Sequence, residues 1–362
     1  MQDKIERRKT RAVTVGNLKI GNGSPITVQS MTNTDTHDLD ASFRQIVALE
    51  KAGCDVVRLT APDLDSAATF YKLKERGVKL PLVADVHFDY KIAIECINAG
   101  ADKIRINPGN IGDRDRVQAV VRAARERGVP IRIGVNSGSL EKEILARHGA
   151  PTAEALSESA LYHAKILESM DFYDTVLSVK ASSVTSMIKA NKILAEKTDY
   201  PLHLGVTEAG ARTRAAVKSS VGIGSLLSLG IGDTIRVSLT DDPVEEVHLA
   251  REILASLSLL KDKKMDVVAC PTCGRTKINL ISLLSQFEEK IKEEGLDSLP
   301  IKVALMGCAV NGPGEAREAD IGVAGGVSEA LLFKKGIPVR KISEKSLISE
   351  LILEIKKDFL KN

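Results

Sequence analysis

Residues Ile104–Gly109 read IRINPG, and that alternation decides the fold. Successive side chains of a strand point to opposite faces. Ile104 and Ile106 therefore share one face, and Arg105 and Asn107 share the other. The same period returns on both sides. In IRIGVNSG, Arg132, Gly134 and Asn136 oppose Ile131, Ile133 and Val135. VADVHF sets Asp85 and His87 against Val86 and Phe88, and VVRLT places Arg58 between Val57 and Leu59. LSVKAS opposes Ser178, Lys180 and Ser182 to Val179. LHLGVTEAG opposes His203, Gly205 and Thr207 to Leu202, Leu204 and Val206. TIRVSLT opposes Arg236, Ser238 and Thr240 to Ile235, Val237 and Leu239.

These segments belong to a longer series. β-Branched, apolar stretches start at Ile26, Val56, Leu82, Lys103, Ile131, Thr175, Leu202 and Thr234, at steps of 30, 26, 21, 28, 44, 27 and 32 residues. Helical periodicity fills the gaps, as with Leu39, Phe43, Ile46 and Val47. Gly53, Gly77, Gly100 and Gly128 stand where a helix stops before the next strand. Eight strand–helix units in about 240 residues match a TIM (β/α)8 barrel. The 44-residue step has room for an extra helix near Leu140–Arg147, ahead of one at Ala153–Met170. A doubly wound sheet fits less well, because no G-x-G-x-x-G follows the first strand and the count is eight. The barrel is expected over residues 1–260, as a substrate-binding domain, with a smaller α+β domain over 261–362.

The apolar face of each strand must meet the helices, so the polar face points to the barrel axis and its C-terminal mouth. Arg58, Arg105, Arg132, Lys180 and Arg236 all fall on inward registers of different strands, with far fewer carboxylates beside them. Uncompensated buried cations are costly. An anionic ligand supplies the missing charge, and several guanidiniums converging on one point suit phosphate oxygens. Asp85, His87, His203 and Glu208 lie at or just past strand ends. Glu208 is the best-placed general acid or base, with His87 and His203 as orienting donors. His37, His148, His163 and His248 read as surface residues, and Cys54 and Cys96 as small buried hydrophobes.

Composition narrows the classes further. The 362-residue chain carries a formal net charge of only +3, 3% aromatic residues and no Trp. Neither a polyanion-binding surface nor base-stacking platforms are on offer, which argues against nucleic acid. No apolar run approaches the roughly 18 residues that a membrane span needs, and Met1–Arg11 is charged and lacks the apolar core of a secretory signal. Five cysteines are too few and too unevenly placed for a disulfide framework, so a reducing cytoplasm is expected.

After the charged stretch Lys261–Asp266 comes CPTCGR, with Cys270 and Cys273, then an amphipathic helix near Asn279–Glu294. IKVALMGC is a strand running into Cys308, followed by AVNGPGEA. A short strand pair and a helix over Ser346–Leu360 close the domain. A zinc ribbon needs a second ligand pair, and only Cys308 follows. A redox dithiol leaves Cys308 without a role. Three thiolates from two loops suit an iron–sulfur cluster with one iron left for another ligand. Glu315 can supply a hard, exchangeable carboxylate there, and a substrate oxygen could displace it.

CPTCGR, MGCAVNGPGEA, PLVADVHF, KIRINPGN, GVNSGSL and LHLGVTEAG together resemble the 4-hydroxy-3-methylbut-2-enyl diphosphate synthases. The compact layout is similar to their flavodoxin-dependent bacterial form; the plant-type form carries a large insert for which this chain has no room. The likeness runs from about Val13 to the C-terminus. It implies reductive ring opening and dehydroxylation of 2-C-methyl-D-erythritol 2,4-cyclodiphosphate, a late step of non-mevalonate isoprenoid synthesis. It implies one [4Fe-4S] cluster per subunit, held by Cys270, Cys273, Cys308 and Glu315, whose unique iron takes the substrate C3 oxygen. Arg58, Arg105, Arg132, Lys180 and Arg236, with Asn107, Asn136, His203 and Ser238, would hold the diphosphate. Glu208 would deliver the proton, with Asp85 and His87 as orienting partners. Flavodoxin or ferredoxin would supply electrons to a homodimer in which one barrel meets the other subunit's cluster domain. Two other readings stay open from the residues alone: an aconitase-like lyase and a zinc-stabilised binding module.

Overall fold

A hairpin precedes the barrel. β1 (Val13–Val15) and β2 (Leu18–Ile20) pair antiparallel across Gly16, whose φ of +57° suits a residue without a Cβ. Three-residue strands are too short for period-2 reading, and the sequence did not announce them. The computed structural model describes residues 5–262, 264–308 and 316–360. The chain divides into two compact units, Met1–Leu260 and Lys261–Asn362.

In the first unit β3 (Thr27–Met31), β4 (Val56–Thr60), β5 (Leu82–Asp85), β6 (Lys103–Ile106), β7 (Ile131–Asn136), β8 (Thr175–Lys180), β9 (His203–Leu204) and β10 (Thr234–Ile235) form one parallel sheet. The sheet runs from β8 through β3 to β10 and β9, and a parallel bridge between Leu177 and Leu202 joins its ends. Followed once around this ring, the paired registers carry Gln29 back to Gly21, a shift of 29 − 21 = 8 residues. That is the stagger of a (β/α)8 barrel.

The helices are α1 (Leu39–Lys51), α2 (Leu64–Glu75), α3 (Tyr90–Asn98), α4 (Pro108–Ile111), α5 (Arg114–Arg127), α6 (Lys142–His148), α7 (Ala153–Glu168), α8 (Val184–Lys197), α9 (Arg212–Ser228) and α10 (Pro243–Ser256). Asp38, Asp63, Asp113 and Asp242 cap α1, α2, α5 and α10 by accepting backbone N–H groups, each cap being worth about 1 kcal/mol. The outward residues of the strands, such as Val57, Leu59, Ile104, Ile133 and Val179, merge with the helices' apolar stripes in one core. Val13, Val15 and Ile20 of the hairpin pack on Val176, an inward residue of β8. Gly16 approaches Pro81 and Asp102, just ahead of β5 and β6. The hairpin thus covers the N-terminal end of the barrel.

Two expectations need correction. The strands expected over Leu202–Gly210 and Thr234–Thr240 shrink to the two-residue β9 and β10. Beyond them the ladder thins to single bonds, Arg236 N donating to Leu204 O at 2.9 Å and Thr207 N to Ala181 O at 3.3 Å. His163 is not on the surface but fully buried on α7, with Nε2 against Glu141. Helical periodicity alone did not separate its face from the exposed Tyr162 beside it.

The second unit is a five-stranded sheet in chain order: β11 (Asp266–Ala269), β12 (Lys302–Met306), β13 (Ile321–Gly325), β14 (Glu329–Lys334) and β15 (Ile337–Ser343). The first three strands are parallel and the last two antiparallel. α11 (Leu280–Glu293) and α12 (Leu347–Phe359) cover the face carrying Val303, Leu305, Ile321 and Val323. Ala304, Met306, Ala324 and Phe333 line the other face. Among the described residues no helix is long and apolar enough to cross a membrane.

Candidate active site

Inward side chains of a (β/α)8 barrel stack in layers of four, contributed by alternate strands. The registers above place Arg58, Arg105, Ser178 and Arg236 in one layer. Above it lie Met31, Asp85, Gly134 and Gly205, and then Thr60, Asn107, Lys180 and Ser238. The middle layer needs its two glycines. A Cβ on Gly134 would stand 2.4 Å from Arg105 Nε, and one on Gly205 would stand 2.7 Å from Arg236 O and 3.1 Å from Lys180 Nζ. These notches let two long cations cross the barrel axis.

The result is a cavity of about 150 Å3 at the C-terminal end. Arg58, Arg105, Arg132, Lys180 and Arg236 line it, against one carboxylate, Asp85. His87, Asn136, Ser178, Thr207 and Ser238 complete the polar wall. Arg105 Nη1 donates to Asp85 Oδ1 at 3.0 Å, and Arg58 Nε lies 3.6 Å from Asp85 Oδ2. Arg105 Nη1 also stands 3.2 Å from His87 Nε2, and its Nη2 donates to Gly134 O at 3.3 Å. Arg58 turns its Nε and Nη2 to the Met31 sulfur at 3.2 and 3.0 Å.

Burial alone would raise the Asp85 carboxyl. Arg58 and then Arg105 outweigh it and hold the group well below the usual carboxylate range. Burial lowers Arg58 to about 10, with Asp85 opposing and Arg236 and Arg105 assisting. Lys180 is pushed well down by burial, then by Arg236, Arg58 and Arg132. Arg132 is lowered in the same way by burial and its cationic neighbours. The mouth is thus short of negative charge by construction.

Of the residues singled out from sequence, Arg58, Asp85, His87, Arg105, Arg132, Asn136, Lys180, Arg236 and Ser238 meet at this cavity. Three others do not line it. Asn107 is buried at the head of β6, its carbonyl accepting from Asn110 N at 2.9 Å. His203 is fully buried below the mouth, with Nδ1 3.3 Å from Thr234 Oγ1. Burial, then Arg132 and Lys180, holds its imidazole far below its ordinary value. Glu208 is exposed, one residue past the lining residue Thr207, with a left-handed φ of +52°. An L-residue there is uncommon outside turns and functional loops.

Two residues escaped sequence reading. Glu246, buried on α10, accepts from Arg236 Nη2 at 3.1 Å, Arg236 Nε at 3.3 Å, Ser30 Oγ at 2.9 Å and Leu239 N at 3.1 Å. Nothing in its helix distinguishes it from the neighbouring Glu245. Lys103, fully buried, shares the inward face of β6 with Arg105; the alternation, read two residues earlier, would have found it.

In the second unit, Cys270 and Cys308 follow the adjacent parallel strands β11 and β12, whose register pairs Ala269 with Leu305. Gly307 N donates to Cys270 Sγ at 3.1 Å. The Cys273 thiol is held below its ordinary value by the Arg275 backbone N–H and side chain. By contrast burial pushes Cys54 and Cys96 up to about 12, which leaves them inert. Among the described residues no three metal-ligating side chains close on one ion. Glu315 lies outside the described residues.

A barrel whose mouth collects five cations around one carboxylate, followed by a thiol-bearing domain, defines a TIM-barrel enzyme built for a polyanionic substrate. The chain belongs to the GcpE family: the GcpE TIM-barrel domain matches residues 10–251 and the GcpE protein C-terminal domain matches residues 266–357. It is 56% identical over 355 residues to the 4-hydroxy-3-methylbut-2-en-1-yl diphosphate synthase (flavodoxin) of Ruminiclostridium cellulolyticum, covering 98% of this chain and 99% of that one. It is 55% identical over 357 residues to the protein of the same name from Geobacillus thermodenitrificans, covering 99% and 94%. Among solved structures, an N-acetylneuraminic acid synthetase from Leptospira borgpetersenii aligns at a TM-score of 0.50 and 14% identity, covering 80% of this chain and 98% of that one. That likeness shows the fold alone.

Proposed function

We propose that this chain catalyses the reaction its relatives are named for. 2-C-Methyl-D-erythritol 2,4-cyclodiphosphate takes up two electrons and one proton and leaves as 4-hydroxy-3-methylbut-2-enyl diphosphate and water. The observation that carries this reading is the charge count of the mouth, five cations against Asp85 and, behind Arg236, Glu246. A diphosphate offsets that surplus, and planar guanidiniums grip its oxygens in pairs. Asp85 keeps Arg58 and Arg105 in place, and Glu246 does the same for Arg236. Asn136, Ser178 and Ser238 are placed to bond the remaining phosphate and hydroxyl oxygens, with Asn107 and His203 supporting the wall from behind and below. The ring closed by the second phosphate must open, so the cations also stabilise the leaving phosphate oxygen. Glu208, in the exposed turn directly after the lining residue Thr207, gives the proton to the departing hydroxyl, and His87 orients Arg105 toward the substrate.

The reduction needs a centre that this chain's thiols can hold. Cys270, Cys273 and Cys308, with Glu315, would carry a [4Fe-4S] cluster. The donor set supports it: soft thiolates suit iron–sulfur chemistry, two of the cysteines follow neighbouring strands, and Cys273 is biased toward the thiolate. When bound, such a cluster supplies electrons one at a time and a Lewis-acidic iron. The electron donor is flavodoxin, as the relatives' names state, or a ferredoxin of equivalent role. Two subunits pair so that one barrel meets the other's C-terminal domain.

The test is electron paramagnetic resonance of anaerobically purified, reduced protein with and without the cyclic diphosphate. The substrate should alter the iron signal, and turnover should require reductant. Cys308→Ser should lose colour, sulfide and activity together. Product formed without reductant would instead make the chain a lyase, and a colourless zinc protein would remove the cluster.

A further inference from the structure

Below the substrate cavity the barrel holds a second polar cluster, centred on Lys103, which the reaction does not use. Lys103 is 0% exposed and its Nζ has no hydrogen-bond partner. Its charged neighbours are Arg132 and Arg58, both cations. The registers put Lys103 in a layer with Val56, Val176 and Thr234, beneath the layer of Gln29, Val83, Arg132 and His203. Those upper residues carry orphans too. Arg132 Nε and Nη2, both amide atoms of Gln29 and His203 Nε2 are buried without a partner. The β1–β2 hairpin seals this floor from below, seated on Val176 beside Lys103.

Buried polar groups in native proteins are paired, and an unpaired one costs about 1–3 kcal/mol. So many orphans in adjoining layers point to an occupant. Its chemistry follows from the donor count. Lys103 and Arg132 can only donate, while Gln29 and His203 can each turn a donor inward. No carboxylate lies in either layer. Water protons could meet Gln29 Oε1 and Thr27 Oγ1, but water leaves the adjoining charges of Lys103 and Arg132 uncompensated. An anion neutralises them.

We propose that the barrel floor is a binding site for a small inorganic monoanion of halide size, held by Lys103 and Arg132 and completed by Gln29 and His203. Arg132 lies between this site and the diphosphate cavity, so the ion fixes its guanidinium from below. Lys103, Gln29 and His203 do not line the upper cavity, which keeps the two sites separate. The proposal does not depend on the identity of the substrate above.

Anomalous diffraction from wild-type holoenzyme crystals grown in sodium bromide tests it. The expected result is a bromide peak within hydrogen-bond distance of Lys103 Nζ and Arg132 Nε. Waters alone at that position, an empty floor, or a peak confined to the mouth overturns the proposal. In solution, bromide should raise the melting temperature of the holoenzyme by a few degrees over gluconate of equal ionic strength, gluconate being too large to enter. Lys103→Met should abolish that difference, and an equal response in both proteins also overturns the site. The crystallographic result stands even if the variant does not fold.

Discussion

Glu246 reaches Arg236 from outside the barrel wall and takes both Nε and Nη2, at 3.3 and 3.1 Å. The same carboxylate accepts from Leu239 N, so it fixes the backbone that presents Ser238 as well. Glu246→Gln keeps the shape but removes the charge and turns one acceptor into a donor. KM for the cyclic diphosphate should rise about tenfold, corresponding to roughly 1.4 kcal/mol, while kcat changes less than about threefold. Steady-state rates over a substrate series give both values, and an unchanged KM would deny Glu246 this positioning role.

Gly134 makes room for Arg105. A Cβ there would meet Arg105 Nε at 2.4 Å, so Gly134→Ala should swing that side chain out of the mouth and away from Asp85. kcat/KM should fall at least about 30-fold, or roughly 2 kcal/mol of transition-state stabilisation. The melting temperature without substrate should move much less than the stabilisation that substrate confers. Equal losses in both would mean the glycine serves folding alone.

Asp85 predicts an acid limb in stability. Its carboxyl is held below its ordinary value by Arg58 and Arg105, so the folded chain binds its proton less readily than the unfolded chain. The stabilisation is complete above the unfolded value near 4 and is lost as pH falls toward the folded value. Asp85→Asn leaves two buried guanidiniums without their anion and should cost about 3–5 kcal/mol near pH 7. The gap to the wild type should narrow below about pH 4. Calorimetry from pH 3 to 7 measures this, and a gap independent of pH would contradict the ion-pair account.

Glu208 should separate binding from turnover. Glu208→Gln retains size and the left-handed turn, so iron content and substrate affinity should stay near wild type while kcat drops by about 100-fold or more. A normal rate with intact iron would give the proton to another group.

Much of this was legible in the sequence, for a physical reason. The strands are short and alternate strictly, so Arg58, Arg105, Arg132, Lys180 and Arg236 announce their inward registers by period alone. What stayed hidden depends on long-range packing. The helix bearing Glu246 shows no mark of which glutamate turns inward. His163 is buried because α7 lies between α6 and the strands, which no local pattern states. Glu208 reads as a residue just past its strand, and β9 stops well short of it at Leu204, leaving Glu208 in an exposed turn. The two cysteine motifs share one sheet end because β11 and β12 pair in parallel, and β11 had no signal beyond four residues.

Between β8 and β9 the ladder is reduced to the Leu177–Leu202 bridge, with Leu177 N donating to Pro201 O at 3.0 Å and, past the strand ends, Thr207 N to Ala181 O at 3.3 Å. The hoop therefore has a seam, and that seam leads up to the cavity wall at Lys180 and Thr207. Lys180 stands on one side of it and Arg236 on the other. A doubly anionic guest held by both would act as a clasp, so the emptied barrel should breathe along this line and the filled one should hold shut.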